Sequence, residues 1–400
     1  MTTSAISRLR HAADSGSIQA AKELAELLIQ AGEEAEAFSW RRLAAEAGDA
    51  DSQLELGRML AYGIGSVTDP HQARRWFKSA QDNGRKDGAY YLALLALGQE
   101  DDQNSLRHLR SAAEAGHRVA LRCMAIEMGR EHSKEGQAHA MELFRRASEL
   151  GDIPATLLYA ERLFHGEGCR PQQEAARSLW DQLGRHGIHR LSSIMPSEHT
   201  AAKVKVLHER PFVATADSLL SLDECRLLIA LARPFLRRSR VLAHNASQPI
   251  ADPVRSSSGA TLDPLVEDYS AKRAQHRAAS AFGLRLENAE WLSVLHYLPG
   301  EEYRPHRDYL PPQALEAHAP QSGNREHTLC LYLNDVEEGG ETAFLCADMK
   351  VSPKAGRAVC FSNMSGGQPD PDSLHAGLPV SKGEKWLATL WVREHSYRPW

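Results

Sequence analysis

The chain has few of the features that would class it at once. No apolar run approaches the roughly 18 residues of a membrane-crossing helix, and Met1-Thr2-Thr3-Ser4-Ala5-Ile6-Ser7-Arg8 lacks the basic-then-apolar order of a secretory leader. A membrane protein is therefore set aside, and the cytoplasm is the expected compartment. Cysteine is sparse: Cys123, Cys169, Cys225, Cys330, Cys346 and Cys360 lie far apart with no CxxC pair, which reads as reduced, mostly buried thiols. The 47 basic residues are scattered among 52 acidic ones, so no field exists to hold nucleic acid or an anionic membrane. Both partners are excluded. Apolar and charged content are ordinary for a globular chain of two or three domains.

What is present in the first half is a period. Glycines close helix-like segments at Gly16, Gly48, Gly84, Gly116 and Gly151, 32 to 36 residues apart. Each unit reads as two amphipathic helices. Between Ser52 and Tyr62, Leu56, Met59 and Leu60 fall at helical spacing; Gly63-Ile64-Gly65 makes a turn, and Ala73, Trp76, Phe77 and Ala80 stripe the second helix. Leu157-Leu158-Tyr159, Gly166-Glu167-Gly168, Ala175-Ala176 and Leu179-Trp180 repeat the plan, whereas the unit from Gly84 to Ala113 lacks the paired glycines. This pattern resembles the Sel-one-like branch of the tetratricopeptide repeat family, over about residues 10 to 188. The resemblance implies a helical repeat solenoid over residues 1–190 that docks a protein or peptide partner.

The helical period fades after Gly187, and residues 191–206, with Pro196-Ser197-Glu198, are expected as a linker. In the domain expected at 207–400, Phe212-Val213-Ala214-Thr215 reads as an opening strand. Ser221 followed by Glu224 forms a capping box for a helix, and a second helix is expected over about Pro264 to Phe282. Short strands follow at His327 to Leu333, Thr342 to Phe344, Gly356 to Phe361 and Trp386 to Val392, joined by Gly, Pro and Asp turns. The fold class expected is an all-α repeat solenoid followed by an α+β domain built on a double-stranded β-helix, or jelly roll.

His306 and Asp308, one residue apart, point to the same face of an extended strand and can grip one ion. A distant His375 completes two imidazoles and one carboxylate, the arrangement of non-haem Fe(II) oxygenases that leaves coordination positions open. Around these residues stand Tyr297-x-Pro-Gly-x-x-Tyr303-x-x-His306-x-Asp308, Leu331-Tyr332-Leu333-Asn334-Asp335 through Gly339-Gly340-Glu341-Thr342, and Ser373-Leu374-His375-Ala376-Gly377 with Lys385 ten residues after the histidine. Residues 205–400 are similar to the prolyl 4-hydroxylase type of 2-oxoglutarate- and Fe(II)-dependent dioxygenase.

That resemblance implies His306, Asp308 and His375 as Fe(II) ligands and Lys385 as the cation for the distal carboxylate of 2-oxoglutarate, assisted by the hydroxyls of Tyr297 and Thr328. It sets Tyr303, Trp391, Arg393 and Arg255 on the substrate side, with Trp391 equally readable as core. The cofactors implied are Fe(II), 2-oxoglutarate and O2, with ascorbate as a further candidate, and the reaction is hydroxylation coupled to decarboxylation of 2-oxoglutarate to succinate. A prolyl residue in a protein or peptide is the favoured substrate. A free amino acid or small metabolite is a second reading, and a non-catalytic repeat adaptor a third, against which the intact ligand set and Lys385 argue. Residues 310–326 and 365–373 read either as lids over the barrel mouth or as structureless insertions.

Overall fold

The computed structural model describes residues 2–191, 194, 202–239, 256–264 and 266–398. Most of the expected linker, and Arg255 with it, lies outside these residues. The first half is helical throughout: α1 (Thr2–Asp14), α2 (Ile18–Gln30), α3 (Glu34–Glu46), α4 (Ala50–Tyr62), α5 (Pro70–Asp82), α6 (Lys86–Gly98), α7 (Asp102–Glu114), α8 (Arg118–Gly129), α9 (Lys134–Glu149), α10 (Ile153–His165) and α11 (Gln173–Gly184). Among the described residues no helix is long and apolar enough to cross a membrane. The chain forms two compact units, one over Met1–Met124 and one over Ala125–Arg398.

In the first unit local chemistry sets the helix ends. Gly16, Gly48, Gly84 and Gly116 all take positive φ, the left-handed turn that stops a helix. Asp49 then opens α4 by accepting a hydrogen bond from the Ser52 amide at 2.7 Å. The paired glycines between α4 and α5 have separate tasks. Gly63 ends α4 at φ 71°, while a Cβ on Gly65 would lie 2.1 Å from the carbonyl oxygen of Glu34, so only glycine permits that approach. Ala73, Phe77 and Ala80 are buried as their spacing predicts, and Trp76 is half-buried. Phe77 fits because Gly57 faces it: a Cβ there would be 2.6 Å from the ring. The unit without paired glycines still folds, with α6 and α7 joined by a short turn in which Glu100 takes φ 58°.

The second unit carries α9 to α11 and the strand-rich domain. Its strands are β1 (Val204–Glu209), β2 (Phe212–Ala216), β3 (Arg237–Arg238), β4 (Ser258–Leu262), β5 (Leu292–Tyr297), β6 (Tyr303–His306), β7 (Arg325–Tyr332), β8 (Glu338–Gly339), β9 (Thr342–Phe344), β10 (Met349–Val351), β11 (Ala358–Ser362), β12 (Met364–Ser365), β13 (Gln368–Pro369), β14 (His375–Gly377), β15 (Val380–Lys382) and β16 (Lys385–Arg393). Eight form one antiparallel sheet, in the order β1-β2-β11-β7-β16-β5-β4-β3, and four form another, β10-β9-β14-β6. Val213, Leu295, Cys330, Tyr332, Phe344 and Phe361 fill the space between the two sheets, which together make the expected jelly roll. The linker expectation is corrected at its end: residues 204–206 are already strand, paired in register with β2.

Helix α12 (Leu222–Ala232) packs on β4 and β5 and against α10 and α13 (Tyr269–Ala281). The expected capping box is present, Ser221 accepting from the Glu224 amide at 3.2 Å and Glu224 accepting from the Ser221 amide at 2.8 Å. Glu224 is also ion-paired to Arg130 at 2.6 Å and Arg277 at 2.5 Å. Beside it Asp223 binds Arg162 at 2.7 Å, and Arg226 binds Glu167 at 2.6 Å. Asp223, Glu224, Arg162 and Arg226 are each at most 3% exposed. These buried charges join α8 and α10 to the two helices behind the sheet.

Residues 310–326 are not structureless. They contain the short helix α14 (Pro312–Ala317), closed by Asn324, which accepts from the Leu310 amide at 2.7 Å and donates to the Leu310 carbonyl at 2.9 Å. Residues 365–373 form a small hairpin, β12 with β13, and a turn of 3-10 helix.

Candidate metal and co-substrate site

The two histidines meet because β14 pairs with β6 and places His375 directly opposite His306. Asp308 follows two residues after β6 ends. One ligand atom from each of the three lies within 4.8 Å of the others. His306 Nε2 is 3.5 Å from Asp308 Oδ1, and His375 Nε2 is 3.7 Å from Oδ2. The backbone decides which ring nitrogens face one another. His306 Nδ1 lies 2.8 Å from the Arg304 carbonyl and His375 Nδ1 2.9 Å from the Ser373 carbonyl. A carbonyl only accepts, so both Nδ1 atoms carry the proton and both Nε2 atoms present lone pairs. Tyr303 stacks on His306 at 3.4 Å between ring centroids and holds that ring in place.

Electrostatics agree with this assignment. Burial acts to raise the Asp308 carboxyl, but His375 and His306 outweigh it and hold it well below the usual carboxylate range. Burial, with His306 beside it, brings His375 down to about 4. At neutral pH, two imidazole lone pairs and a carboxylate thus converge with no proton between them. A cation fits that donor set; another acceptor does not.

The three ligands open onto a cavity of about 400 Å³ between the sheets, also lined by Tyr297, Tyr303, Thr342, Lys385, Thr389 and Trp391. Lys385 stands opposite Tyr297 in the register of β16 and β5 and is 2% exposed. Its Nζ lies 5.3 Å from the Tyr297 ring centroid and 5.6 Å from that of Tyr332. Burial pushes it down to about 8, with Glu341 offsetting this only from a distance. A buried cation facing a cavity, with an aromatic wall, is a receptor for a carboxylate.

Other expected residues stand differently. The Thr328 hydroxyl points at Asp308 instead of lining the cavity. The hydroxyl that does line it beside Lys385 is that of Thr342, which accepts from Tyr332 at 2.6 Å and keeps its own proton to give. Thr342 closes the Gly339-Gly340-Glu341-Thr342 run, so the signal for it was in the motif itself. Trp391 lines the cavity with Arg325 stacked 4.0 Å over its ring. Arg393 does not reach the cavity: it is 2% exposed, ion-paired to Glu290 at 2.7 Å and bonded to the carbonyls of His318 and Gly323. Its work is to tie down the 310–326 segment.

Comparison with known proteins agrees with the geometry. The 2OG-Fe(II) oxygenase superfamily matches residues 292–393, and the Sel1 repeat matches five stretches between residues 29 and 187. Probable prolyl 4-hydroxylase 10 of Arabidopsis thaliana is 34% identical over 215 residues, which is 49% of this chain and 73% of that protein. Prolyl 4-hydroxylase 1 of the same plant is 36% identical over 207 residues, 48% of this chain and 72% of its own. Among solved structures, the viral collagen prolyl hydroxylase of Paramecium Bursaria Chlorella virus-1, a 2OG complex, is 27% identical with a TM-score of 0.36, covering 45% of this chain and 95% of that one. With this identity across nearly three quarters of such relatives, the chain belongs to the prolyl 4-hydroxylase family and is a 2-oxoglutarate- and Fe(II)-dependent dioxygenase that carries Sel1 repeats.

Proposed function

We propose that the enzyme hydroxylates a prolyl residue within a protein or peptide and that the helical repeats dock the protein carrying it. The observation that bears most weight is a single cavity holding both the three converging ligand atoms and the buried, unpaired charge of Lys385. His306, Asp308 and His375 would hold Fe(II). When bound, Fe(II) with 2-oxoglutarate and O2 supplies the oxidising chemistry, in which the co-substrate leaves as succinate and carbon dioxide and one oxygen atom enters a C–H bond of the substrate. The residues of the chain orient and enclose. Lys385 takes the distal carboxylate in a charge-assisted bond, strengthened because water is excluded. Thr342 gives that carboxylate its hydroxyl proton, and the Tyr297 ring walls the pocket. Tyr303 and Trp391 offer flat surfaces on which a pyrrolidine ring can rest beside the ion. Six free thiols, four of them buried, support a reducing, cytoplasmic setting.

The test is succinate formation by anaerobically purified, Fe(II)-loaded protein after oxygen is admitted, with and without a proline-rich peptide pool and with and without ascorbate. The expected outcome is peptide-stimulated succinate that His375→Ala abolishes. Turnover indifferent to peptides would transfer the substrate to the free amino acids and small metabolites. Docking is tested by removing the first unit, which should weaken activity on an intact protein substrate more than on a short peptide.

A further inference from the structure

The carboxylate of Asp308 is held by a chain of two further side chains. Oδ2 accepts a hydrogen bond from Thr328 Oγ1 at 2.8 Å, and that oxygen accepts one from Asn363 Nδ2 at 2.9 Å. All three are buried, Asp308 at 7% exposure and Thr328 and Asn363 at 0%. The direction of the chain follows from counting protons. An ionised carboxylate only accepts, so the single hydroxyl proton of Thr328 must point at Asp308. The Thr328 oxygen then needs a donor, and Asn363 must turn its NH2 toward it. The reverse amide would set two oxygens face to face. Asn363 Oδ1 is left buried without a partner, the smaller penalty of the two.

Each member is fixed in turn. Phe361 pairs with Thr328 and Ser362 with His327 in the register of β11 and β7, so Asn363 arrives beside the start of β7. Its backbone amide donates to the Glu326 carbonyl at 2.8 Å, and its carbonyl accepts from the Asp370 amide at 2.9 Å.

We propose that Asn363 and Thr328 form a positioning relay that occupies Oδ2 of Asp308 and turns Oδ1 toward the two histidines, so that the carboxylate offers the ion one oxygen. A carboxylate free to offer both would take a coordination position needed by 2-oxoglutarate or oxygen. This rests on the metal-site reading above. Thr328 touches neither ion nor substrate; it acts through Asp308.

The experiment is Mn(II) binding to the full-length protein, followed by electron paramagnetic resonance of free Mn(II) and by calorimetry, for wild type, Thr328→Val, Thr328→Ser, Asn363→Asp and His306→Ala. Removing an outer hydrogen bond of this kind weakens metal affinity roughly tenfold to a hundredfold. That loss is expected in Thr328→Val, which keeps the shape, and in Asn363→Asp, which cannot donate. Thr328→Ser, which keeps the proton, should retain wild-type affinity. Wild-type affinity in Thr328→Val overturns the relay. So does equal loss in Thr328→Val and Thr328→Ser, which would assign the effect to packing of the methyl group. Should Thr328→Val fail to fold, Asn363→Asp against Thr328→Ser makes the same comparison. If wild type and His306→Ala alike bind no Mn(II), the metal-site reading itself fails, and the relay with it.

Discussion

Lys385 is a residue whose burial opposes the fold and serves the site. Its value of about 8 lies below the ordinary 10.5, so between those two pH values the folded state holds fewer protons than the unfolded one. Stability therefore rises with pH across that window. Below it, keeping the charge buried costs about 3 kcal/mol. Lys385→Met should thus melt higher than wild type at pH 7, and most of the difference should vanish by pH 10; denaturant titrations at the two pH values measure it. The same substitution should raise the 2-oxoglutarate requirement. In wild type that requirement should climb as pH passes about 8, where the unliganded lysine loses its proton. Individual roles were legible here only when a motif carried them. His306, Asp308, His375 and Lys385 stand where their spacing implies. Thr328 and Thr342 exchange places because strand register, not sequence, decides which hydroxyl meets the carboxylate ligand and which meets the cavity. Arg393 misleads for a related reason, since Glu290, its partner, lies 103 residues away.

Among the elements, helix α12 shows how far local signals reach. Its start was legible because Ser221 and Glu224 are three residues apart, and the glycine-closed helices were legible for the same reason. Its ion pairs were not. Arg162 and Asp223 are 61 residues apart, Glu167 and Arg226 59, and Arg130 and Glu224 94. Removing one partner of a buried pair leaves an uncompensated charge and costs roughly 3 to 5 kcal/mol. A chain beginning at residue 191 loses Arg130, Arg162 and Glu167 together and should be insoluble or unfolded, whereas one beginning at Arg118 keeps all three and should stay folded; circular dichroism melts of both will show it. Arg162→Met alone should lower stability by the same few kcal/mol. A docking test by truncation therefore has to spare α9 to α11.

At the scale of the whole chain, the change from a helical period to short strands was plain because both are written in nearest-neighbour spacing. The compact units nonetheless divide after Met124, inside α8, since compactness depends on which distant residues pair. The six thiols give this organisation a practical use. Cys346 is exposed and Cys169 partly so, while Cys123, Cys225, Cys330 and Cys360 are buried. Burial raises the Cys169 thiol and pushes Cys360 up to about 12, which leaves little thiolate to react. A maleimide dye should therefore label Cys346 first, Cys169 more slowly, and the other four only after denaturation, as peptide mass mapping would record. Cys346 sits two residues beyond Phe344, which pairs with His375 in the small sheet and lies 6.2 Å from it between ring centroids. A dye there would report by fluorescence when an ion settles against His375, so the native chain comes with its own optical probe of metal loading.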